Sequence, residues 1–276
     1  MSGRQPVPVL MYHDVDSDTA GGDPFTIPES ELADHLDALV GAGWRTEKIT
    51  ALADKPATEG TVYLTFDDGL TSFARLVMPL LSQRQLSATL FVPTGHIGES
   101  AHWHRREAGS PEVMGWAQLR ALDPDIVEVG SHGHSHRALD VMSGQRSSEE
   151  AVLSRRLLEE GLGRAVTSFA YPYGYHSRAV RAEAKQAGYR VACTVGYAFH
   201  QAGSDPFQVR RLRVGPGLSG PGVLRLLAEG QRNRGTMIAV RAARPAWRLL
   251  RRSRQGRGGI GSPRSQRELE HARRKW

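Results

Sequence analysis

The stretch "VYLTFDDG" (residues 62–69) places two adjacent carboxylates, Asp67 and Asp68, directly after a short apolar run. Its valine, tyrosine, threonine and phenylalanine are typical of a β-strand, and its glycine is typical of the turn that follows one. Adjacent carboxylates repel each other, so both stay ionised at a strand end only when a cation or hydrogen-bond donors stabilise them. A "DDG" sequence also occurs in plain turns. The stretch therefore predicts a strand that ends in either a turn or a functional site.

Six further apolar runs predict strands, and polar or Gly/Pro-rich residues follow each run. Several runs are almost continuously apolar, which is typical of strands that are covered on both faces. Amphipathic helical patterns lie between them. This alternation predicts an α/β fold with a parallel sheet, either a barrel or a doubly wound sheet. The further strands are predicted at residues 7–13, 88–94, 126–132, 167–172, 190–196 and 210–215, and the helices at 28–43, 73–84, 115–122, 147–163, 177–188 and 219–230.

Charge divides the chain into two parts. The 276 residues carry a net charge of +7, but residues 231–276 hold 14 Arg or Lys against two Glu, so the remaining residues sum to −5. We therefore expect one folded domain at residues 1–230 and an Arg-rich basic C-terminal tail at residues 231–276 that is partly helical or disordered. The single cysteine, Cys193, excludes an intramolecular disulfide and a zinc site built from cysteines. The sequence contains no visible export signal and no membrane span.

Three polar clusters follow predicted strands: Asp67 with Asp68, the histidines of "SHGHSH" (131–136), and "YPYGY" (171–175). The carboxyl ends of parallel strands meet at one rim of a barrel, where active sites form. Two histidines four residues apart and one carboxylate can bind a divalent cation and leave positions open for water and substrate. The cation would offset the charge of one aspartate, and the other would serve as a general base. The spacing leaves open which aspartate has which role.

The motifs "TFDDG" (65–69), "SHGHSH" (131–136) and "FAYPYG" (169–174), in this order and at this spacing, resemble those of the polysaccharide deacetylases. These proteins share the NodB-homology domain of carbohydrate esterase family four. The segment "VPVLMYHDV" (7–15) is similar to the branch that deacetylates poly-N-acetylglucosamine in bacterial envelopes and biofilms. The resemblance covers residues 6–230 and implies a distorted (β/α) barrel of about seven parallel strands.

The resemblance also implies roles for the motif residues. The first aspartate of the family's motif is the base and the second binds the metal, which makes Asp67 the base and Asp68 a ligand. The first and last histidines of the second motif are ligands, which gives His132 and His136. The backbone N–H of Tyr173 is expected to stabilise the oxyanion. The expected cofactor is a divalent metal, with zinc as the first choice and cobalt or nickel as alternatives.

Two features differ from the common family pattern. The late "LxH" histidine is absent, and in the branch with "MYH" a histidine of the first strand takes its role, so His13 is the expected general acid; a core histidine is the alternative. Many members have an arginine that pairs with the base two residues before the proline of the third motif, where this chain has Ala170. The strand "RRLRV" offers Arg211 and Arg213 as substitutes, and we favour Arg211.

Several other polar residues receive weaker interpretations. Tyr171 and Pro172 are expected to bind substrate or to support the residues that do, although Tyr171 could simply pack. His102 and His104 lie in the polar stretch "ESAHWHRREAG" (99–109), which suggests a solvated loop, with a sugar-binding rim as the alternative.

The resemblance implies a metal-dependent hydrolase that removes N-acetyl groups from N-acetylhexosamine residues of a polysaccharide, oligosaccharide or glycoconjugate. One alternative is an O-acetyl esterase that acts on xylan, and another is an inactive glycan-binding module with a polyanion-binding tail. The expected partner is an acetylated glycan, together with an anionic membrane surface for the basic tail; nucleic acid is not expected. The expected location is cytoplasmic, peripheral at the inner membrane face, or extracytoplasmic if an upstream signal precedes this sequence.

Overall fold

The computed structural model describes residues 5–17, 23–104 and 109–230. Short strands alternate with helices along these residues, and all pair in parallel except β1 and β11, which pair antiparallel. The strands are β1 (Pro6–Val7), β2 (Val9–Tyr12), β3 (Asp14–Asp16), β4 (Thr26–Pro28), β5 (Arg45–Thr46), β6 (Thr61–Phe66), β7 (Ala88–Val92), β8 (Val127–Ser131), β9 (Ser168–Ala170), β10 (Val191–Cys193), β11 (His200–Gln201) and β12 (Leu212–Arg213). The α-helices are α1 (Glu29–Gly41), α2 (Ala51–Asp54), α3 (Met78–Gln83), α4 (Trp116–Ala121), α5 (Gly144–Leu162), α6 (Arg178–Gln186) and α7 (Gly220–Glu229).

A curled parallel sheet lies at the centre of the fold. Its strands follow one another in the order β10-β9-β8-β7-β6-β2-β12, and β5 also pairs with β6. A parallel bridge between Cys193 and Val209 brings the segment that leads into β12 beside β10. The two ends of the sheet therefore approach each other, and the sheet forms an incomplete barrel with helices around it.

Both faces of the sheet are buried. The side chains of Leu64 and Phe66 in β6 pack in the layer between the sheet and the helices. Tyr63 belongs to a second apolar cluster with Phe91 and Val209 from other strands and the segment before β12. Because side chains alternate along a strand, residue 67 continues the face of Tyr63 and not the face of Phe66.

Serine begins three of the surrounding helices. The hydroxyl groups of Ser143, Ser177 and Ser219 accept hydrogen bonds from backbone N–H groups in the first turns of α5, α6 and α7. Such caps satisfy N–H groups that have no partner inside the helix. Helix α5 ends at Gly163, whose positive φ of 67° closes it.

The central strands and main helices confirm the α/β prediction. Each of the seven predicted strands corresponds to one strand of the central sheet, and each predicted helix is present, although Phe73–Val77 before α3 is a π-helical segment. Strands β1, β3, β4, β5 and β11 and helix α2 were not predicted, since two to four residues carry no readable periodicity. The tail at 231–276 lies outside the described residues, so the predicted boundary at residue 230 stays a prediction. Within the described ranges, no helix combines the length and hydropathy that crossing a bilayer requires.

Candidate active site

The candidate functional side chains gather at the carboxyl ends of the parallel strands. His13 follows β2, Asp67 and Asp68 follow β6, His132 follows β8, and the turn at residues 171–175 follows β9. This rim is where a parallel barrel assembles catalytic groups from separate strands.

An unusual backbone turn lets both aspartates face this rim. The N–H of Asp67 donates to the carbonyl of Tyr12 at 3.0 Å, so Asp67 continues the parallel ladder. Asp68 then adopts a positive φ of 73°, and Gly69 follows with 63°. Strict alternation along the strand would point Asp68 to the opposite face of the sheet from Asp67. The left-handed turn breaks this alternation. A non-glycine residue in this conformation costs about 1–3 kcal/mol, and such strain is typical of functional sites.

Asp68, His132 and His136 form a compact cluster of buried ligand atoms. One oxygen of Asp68, Oδ1, lies 3.1 Å from Nε2 of His136 and 3.5 Å from Nε2 of His132. The three atoms all lie within 4.8 Å of one another. Asp68 Oδ1 is buried and has no hydrogen-bond partner among the described residues. A buried carboxylate oxygen without a donor, placed between two imidazole nitrogens, fits a divalent cation of the zinc type.

The residues around His132 stabilise the tautomer of its ring that can bind a metal. Its Nδ1 donates to the carbonyl of Ala170 at 2.8 Å, which leaves the Nε2 lone pair directed at the cluster. Burial lowers the pKa of His132, so the neutral ring predominates at neutral pH.

The loop between the two histidines is tied to helix α5. The carboxylate of Glu150 accepts hydrogen bonds from the N–H groups of His134 and Ser135, both at 2.8 Å. The ring of His134 contacts the hydroxyl of Thr94 at 2.9 Å and lies outside the cluster. His136 itself has a positive φ of 51°, a second strained residue at this rim.

Asp67 is paired with Arg211. The guanidinium donates from Nη1 to Oδ1 at 2.6 Å and from Nη2 to Oδ2 at 2.8 Å, and both residues are buried. Burial pushes the pKa of Asp67 upward, but Arg211, together with His132 and His13, outweighs burial and holds the pKa below its usual value. Asp67 is therefore ionised at neutral pH. Arg213 instead lies over the ring of Phe25, at 4.5 Å from the ring centroid.

The ring of His13 lies close to Oδ2 of Asp67. Its Nε2 is 3.9 Å from Oδ2 of Asp67, and its ring is 4.9 Å from that of Phe25. Burial lowers the pKa of His13 to about 4, although the charges of Asp67 and Asp68 act in the opposite direction. His13 is therefore neutral at neutral pH before substrate binds.

The turn after β9 exposes Tyr173 and buries its neighbours. Tyr173 has a positive φ of 59°, and 51% of the residue is exposed. The turn is closed by the N–H groups of Gly174 and Tyr175, which donate to the carbonyls of Tyr171 and Pro172. Tyr171 is completely buried and donates from its hydroxyl to the carbonyl of Phe207 at 3.2 Å. Of the two interpretations of Tyr171, the structure therefore favours packing over direct substrate contact, and Pro172 is buried beside it.

Two residues outside the three motifs lie against the ligand cluster. Trp103 stacks on His136 with 4.1 Å between ring centroids and 24° between ring planes. His104 is buried, and its Nε2 lies 2.6 Å from Oδ2 of Asp68. The prediction of a solvated loop is wrong for His104, because residues 101–104 turn inward at the rim and bury its ring. The prediction is correct for His102, which is exposed. The only clue in the sequence is the dense "HWH" within an otherwise polar stretch.

A protein-family model described as polysaccharide deacetylase matches residues 54–192, half of the chain. The matched residues include Asp67, Asp68, His132, His136 and the turn at 171–175. His13 and Arg211 lie outside the match and reach the site through β2 and the segment before β12.

Individual relatives agree with this match. The Bacillus subtilis (strain 168) protein YxkH is 25% identical over 219 residues, which cover 78% of this chain and 73% of that protein. A chitin deacetylase of Colletotrichum lindemuthianum is 32% identical over 115 residues, or 41% of this chain and 40% of its own length. The structure of the Streptococcus pyogenes deacetylase PplD in complex with acetate has a TM-score of 0.70 at 22% identity, covering 80% of this chain and 98% of that one. At such identity the structural likeness shows the fold.

Proposed function

The chain belongs to the polysaccharide deacetylase family, and from that premise we propose that its site removes N-acetyl groups from N-acetylhexosamine residues with the help of a bound divalent cation. Membership of this family makes the chain a hydrolase that deacetylates glycans. The bound cation and the type of sugar are what we propose. One observation carries the proposal: Asp68 Oδ1 is buried without a hydrogen bond between two imidazole nitrogens, beside a second carboxylate that Arg211 keeps ionised.

The donor set fits zinc, cobalt or nickel. Asp68, His132 and His136 would hold the cation through one carboxylate oxygen and two imidazole nitrogens. When bound, such a cation polarises an acetyl carbonyl and lowers the pKa of a water molecule.

The protein's own groups then supply proton transfer and charge stabilisation. Asp67 is ionised and faces the cluster, with Oδ2 at 4.0 Å from Nε2 of His132, so it takes a proton from the attacking water. The backbone N–H of Tyr173 donates to the oxyanion that develops on the acetyl group. His13 delivers a proton to the nitrogen of the leaving group. Without this proton the amine would have to leave as an anion, which is a poor leaving group.

The low pKa of His13 constrains the path of that proton. A ring with a pKa of about 4 holds no proton to donate at neutral pH. Since His13 Nε2 lies 3.9 Å from Asp67 Oδ2, the proton that Asp67 takes from water can pass to His13 and then to the leaving nitrogen. The pair therefore works as a relay, and proton transfer of this kind contributes about 10²–10⁴-fold in rate.

An acetate-release assay tests the proposal. The purified protein is stripped with a chelator, and zinc, cobalt or nickel is returned before N-acetylglucosamine oligomers or acetylated xylan are added. We expect metal-dependent acetate release from the oligomers, a loss of about 10²–10⁴-fold in D67N with metal still bound, and a loss of metal binding in D68N. Full activity of the stripped protein, or D67N as fast as the parent, would reject the proposed mechanism; release from xylan alone would favour the O-acetyl esterase.

The basic tail adds a separate proposal about location. Residues 231–276 carry a net charge of +12, and each basic residue near an anionic membrane contributes about 1 kcal/mol. We propose that this segment holds the domain at an anionic membrane surface. Co-sedimentation with vesicles containing phosphatidylserine, compared for the full chain and a chain ending at residue 230, tests it; equal binding of the two would contradict it.

A further inference from the structure

We propose that His104 is a positioning residue for Asp68, and that the N–H group at its Nε2 leaves only one oxygen of this carboxylate free to bind a metal. The inference rests on the proposed function, because it concerns how the chain prepares a ligand for the cation. It assigns a role to a residue that lies 36 positions from Asp68 in the sequence and outside the three motifs.

The two oxygens of Asp68 have different surroundings. Oδ2 lies 2.6 Å from Nε2 of His104, the distance of a strong hydrogen bond to a charged acceptor. Oδ1 lies between Nε2 of His132 and Nε2 of His136 and has no hydrogen-bond partner. A carboxylate with Oδ2 occupied in this way presents Oδ1 alone, which favours one-oxygen coordination and leaves positions on the cation for water and substrate.

His104 is itself held from the other side. Its Nδ1 lies 3.4 Å from Oδ2 of Asp23, and the side chain of His104 is 3% exposed. Asp23 Oδ2 also accepts from the hydroxyl of Thr26 at 2.9 Å, which places it within the turn before β4. The imidazole therefore bridges two carboxylates from separate parts of the chain, and its ring has little freedom to turn away from Asp68.

The segment that carries His104 contacts a second ligand of the cluster. Trp103 stacks on the ring of His136, whose buried Nδ1 has no hydrogen-bond partner among the described residues. His136 is therefore oriented by ring packing, in contrast to His132, which is oriented by its hydrogen bond to Ala170. The N–H of His104 donates to the carbonyl of Ala101 at 2.9 Å, so residues 101–104 form a tight turn that presents both side chains to the site.

Two amide substitutions distinguish the effect of the hydrogen bond to Asp68 from the effect of having any polar side chain at residue 104. In H104Q the amide nitrogen can reach the position of the imidazole Nε2, whereas in H104N the shorter side chain cannot reach Asp68. His102 offers a matched control, because it is an exposed histidine of the same segment, and its ring packs beside Trp103 instead of Asp68.

The measurement is zinc affinity, by competition with a chromophoric chelator, together with the visible absorption spectrum of the cobalt-loaded protein and the melting temperature of the metal-free protein. We expect H104N to lose about 10–100-fold in zinc affinity, the usual effect of removing a residue that orients a ligand. We expect H104Q to retain most of the affinity and the parental cobalt spectrum. H104N should show a weaker cobalt absorption, because Asp68 can then bind through both oxygens and raise the coordination number.

Each outcome decides a different question. Parental affinity and spectrum in H104N would overturn the positioning role, and H104Q and H104N weakened equally would show that the ring itself, not its N–H donor, is needed. A loss of affinity in H102N as large as in H104N would assign the effect to the fold of the segment and would also overturn the role. If the parent binds no divalent cation, the proposed function fails together with this inference; if the parent binds it normally, only the role of His104 is at stake.

Discussion

Removing the positive charge of Arg211 should destabilise the protein by an amount that follows from its surroundings. The guanidinium makes two hydrogen bonds with Asp67, at 2.6 and 2.8 Å, and its side chain has no exposed surface. The substitution R211M keeps most of the volume and leaves the Asp67 carboxylate buried without its partner. Breaking a buried ion pair in this way costs about 3–5 kcal/mol in the free energy of unfolding.

A double-mutant cycle isolates the ion pair from the loss of packing. D67N leaves the guanidinium buried beside a neutral amide, and R211M leaves the carboxylate unpaired. In D67N/R211M neither buried charge remains, so we expect the double variant to be more stable than the sum of the single losses predicts, by roughly 1–3 kcal/mol. The free energies come from urea unfolding of the metal-free proteins, followed by circular dichroism.

Arg213 provides the control for this experiment. It lies two residues further along the chain, and its guanidinium rests on the ring of Phe25 at 4.5 Å. An interaction of this type contributes about 0.5–1 kcal/mol, so R213M should cost far less than R211M. Strictly additive losses in D67N/R211M, or equal losses in R211M and R213M, would refute the reasoning.

Three further predictions concern the acid, the cation and a remote histidine. H13Q should slow acetate release from N-acetylglucosamine oligomers by about 10²–10⁴-fold, and an equal effect on an acetyl ester would contradict its role at the leaving nitrogen. Zinc at 100 times its dissociation constant should raise the free energy of unfolding by about 2.7 kcal/mol, measured by urea unfolding with and without chelator, whereas D68N should gain much less. Burial lowers the pKa of His35, so below about pH 6.5 the unfolded chain binds a proton that the folded chain does not, and stability falls as the pH falls. H35L should flatten this pH dependence between pH 5 and 7 by at most about 1.4 kcal/mol per pH unit; an unchanged slope in a urea-unfolding series would exclude His35 as a source.

The central strands could be predicted because burial on both faces produces continuous apolar runs. All six residues of β6 are buried, and so are all five of β7. Such runs differ clearly from the polar loops around them, so they can be recognised in the sequence without knowing which strands they pair with. Two-residue strands such as β5 exist only because a neighbouring strand supplies hydrogen bonds, and nothing local in the sequence marks them.

Within the site, the motifs located the candidate residues but not their mutual orientation. Alternation along β6 could not place Asp67 and Asp68 on the same rim, because the positive φ of Asp68 is a property of the folded turn. The pairing of Arg211 with Asp67 joins residues 144 positions apart, and it was predicted only because Ala170 replaces the arginine that pairs with the base in many members of the family. The roles implied for Asp67, His13 and Tyr173 stay predictions that the substitutions above test.

His104 shows where reasoning from composition misleads. Polar residues around it suggest solvent, yet its ring is buried because two carboxylates, Asp23 and Asp68, face it from different parts of the chain. Burial of a polar ring is acceptable when both nitrogens have polar neighbours, and those neighbours become visible only in three dimensions.

The two adjacent carboxylates that follow β6 are stabilised in different ways, and the difference fits the different roles that we propose for them. Arg211 contacts both oxygens of Asp67, which balances a full charge while each oxygen keeps a second lone pair that can accept a proton. An arginine at Asp68 would occupy both oxygens in the same way and would leave neither of them for a cation. Burial pushes the pKa of Asp68 upward, but His136 and His104 outweigh it and hold the pKa well below its usual value. An imidazole with one N–H directed at Oδ2 thus leaves Oδ1 unpaired, and a buried unpaired carboxylate oxygen is costly until a cation binds it. The same pair of residues therefore fits the division that we propose, with Asp67 as the base and Asp68 as the ligand.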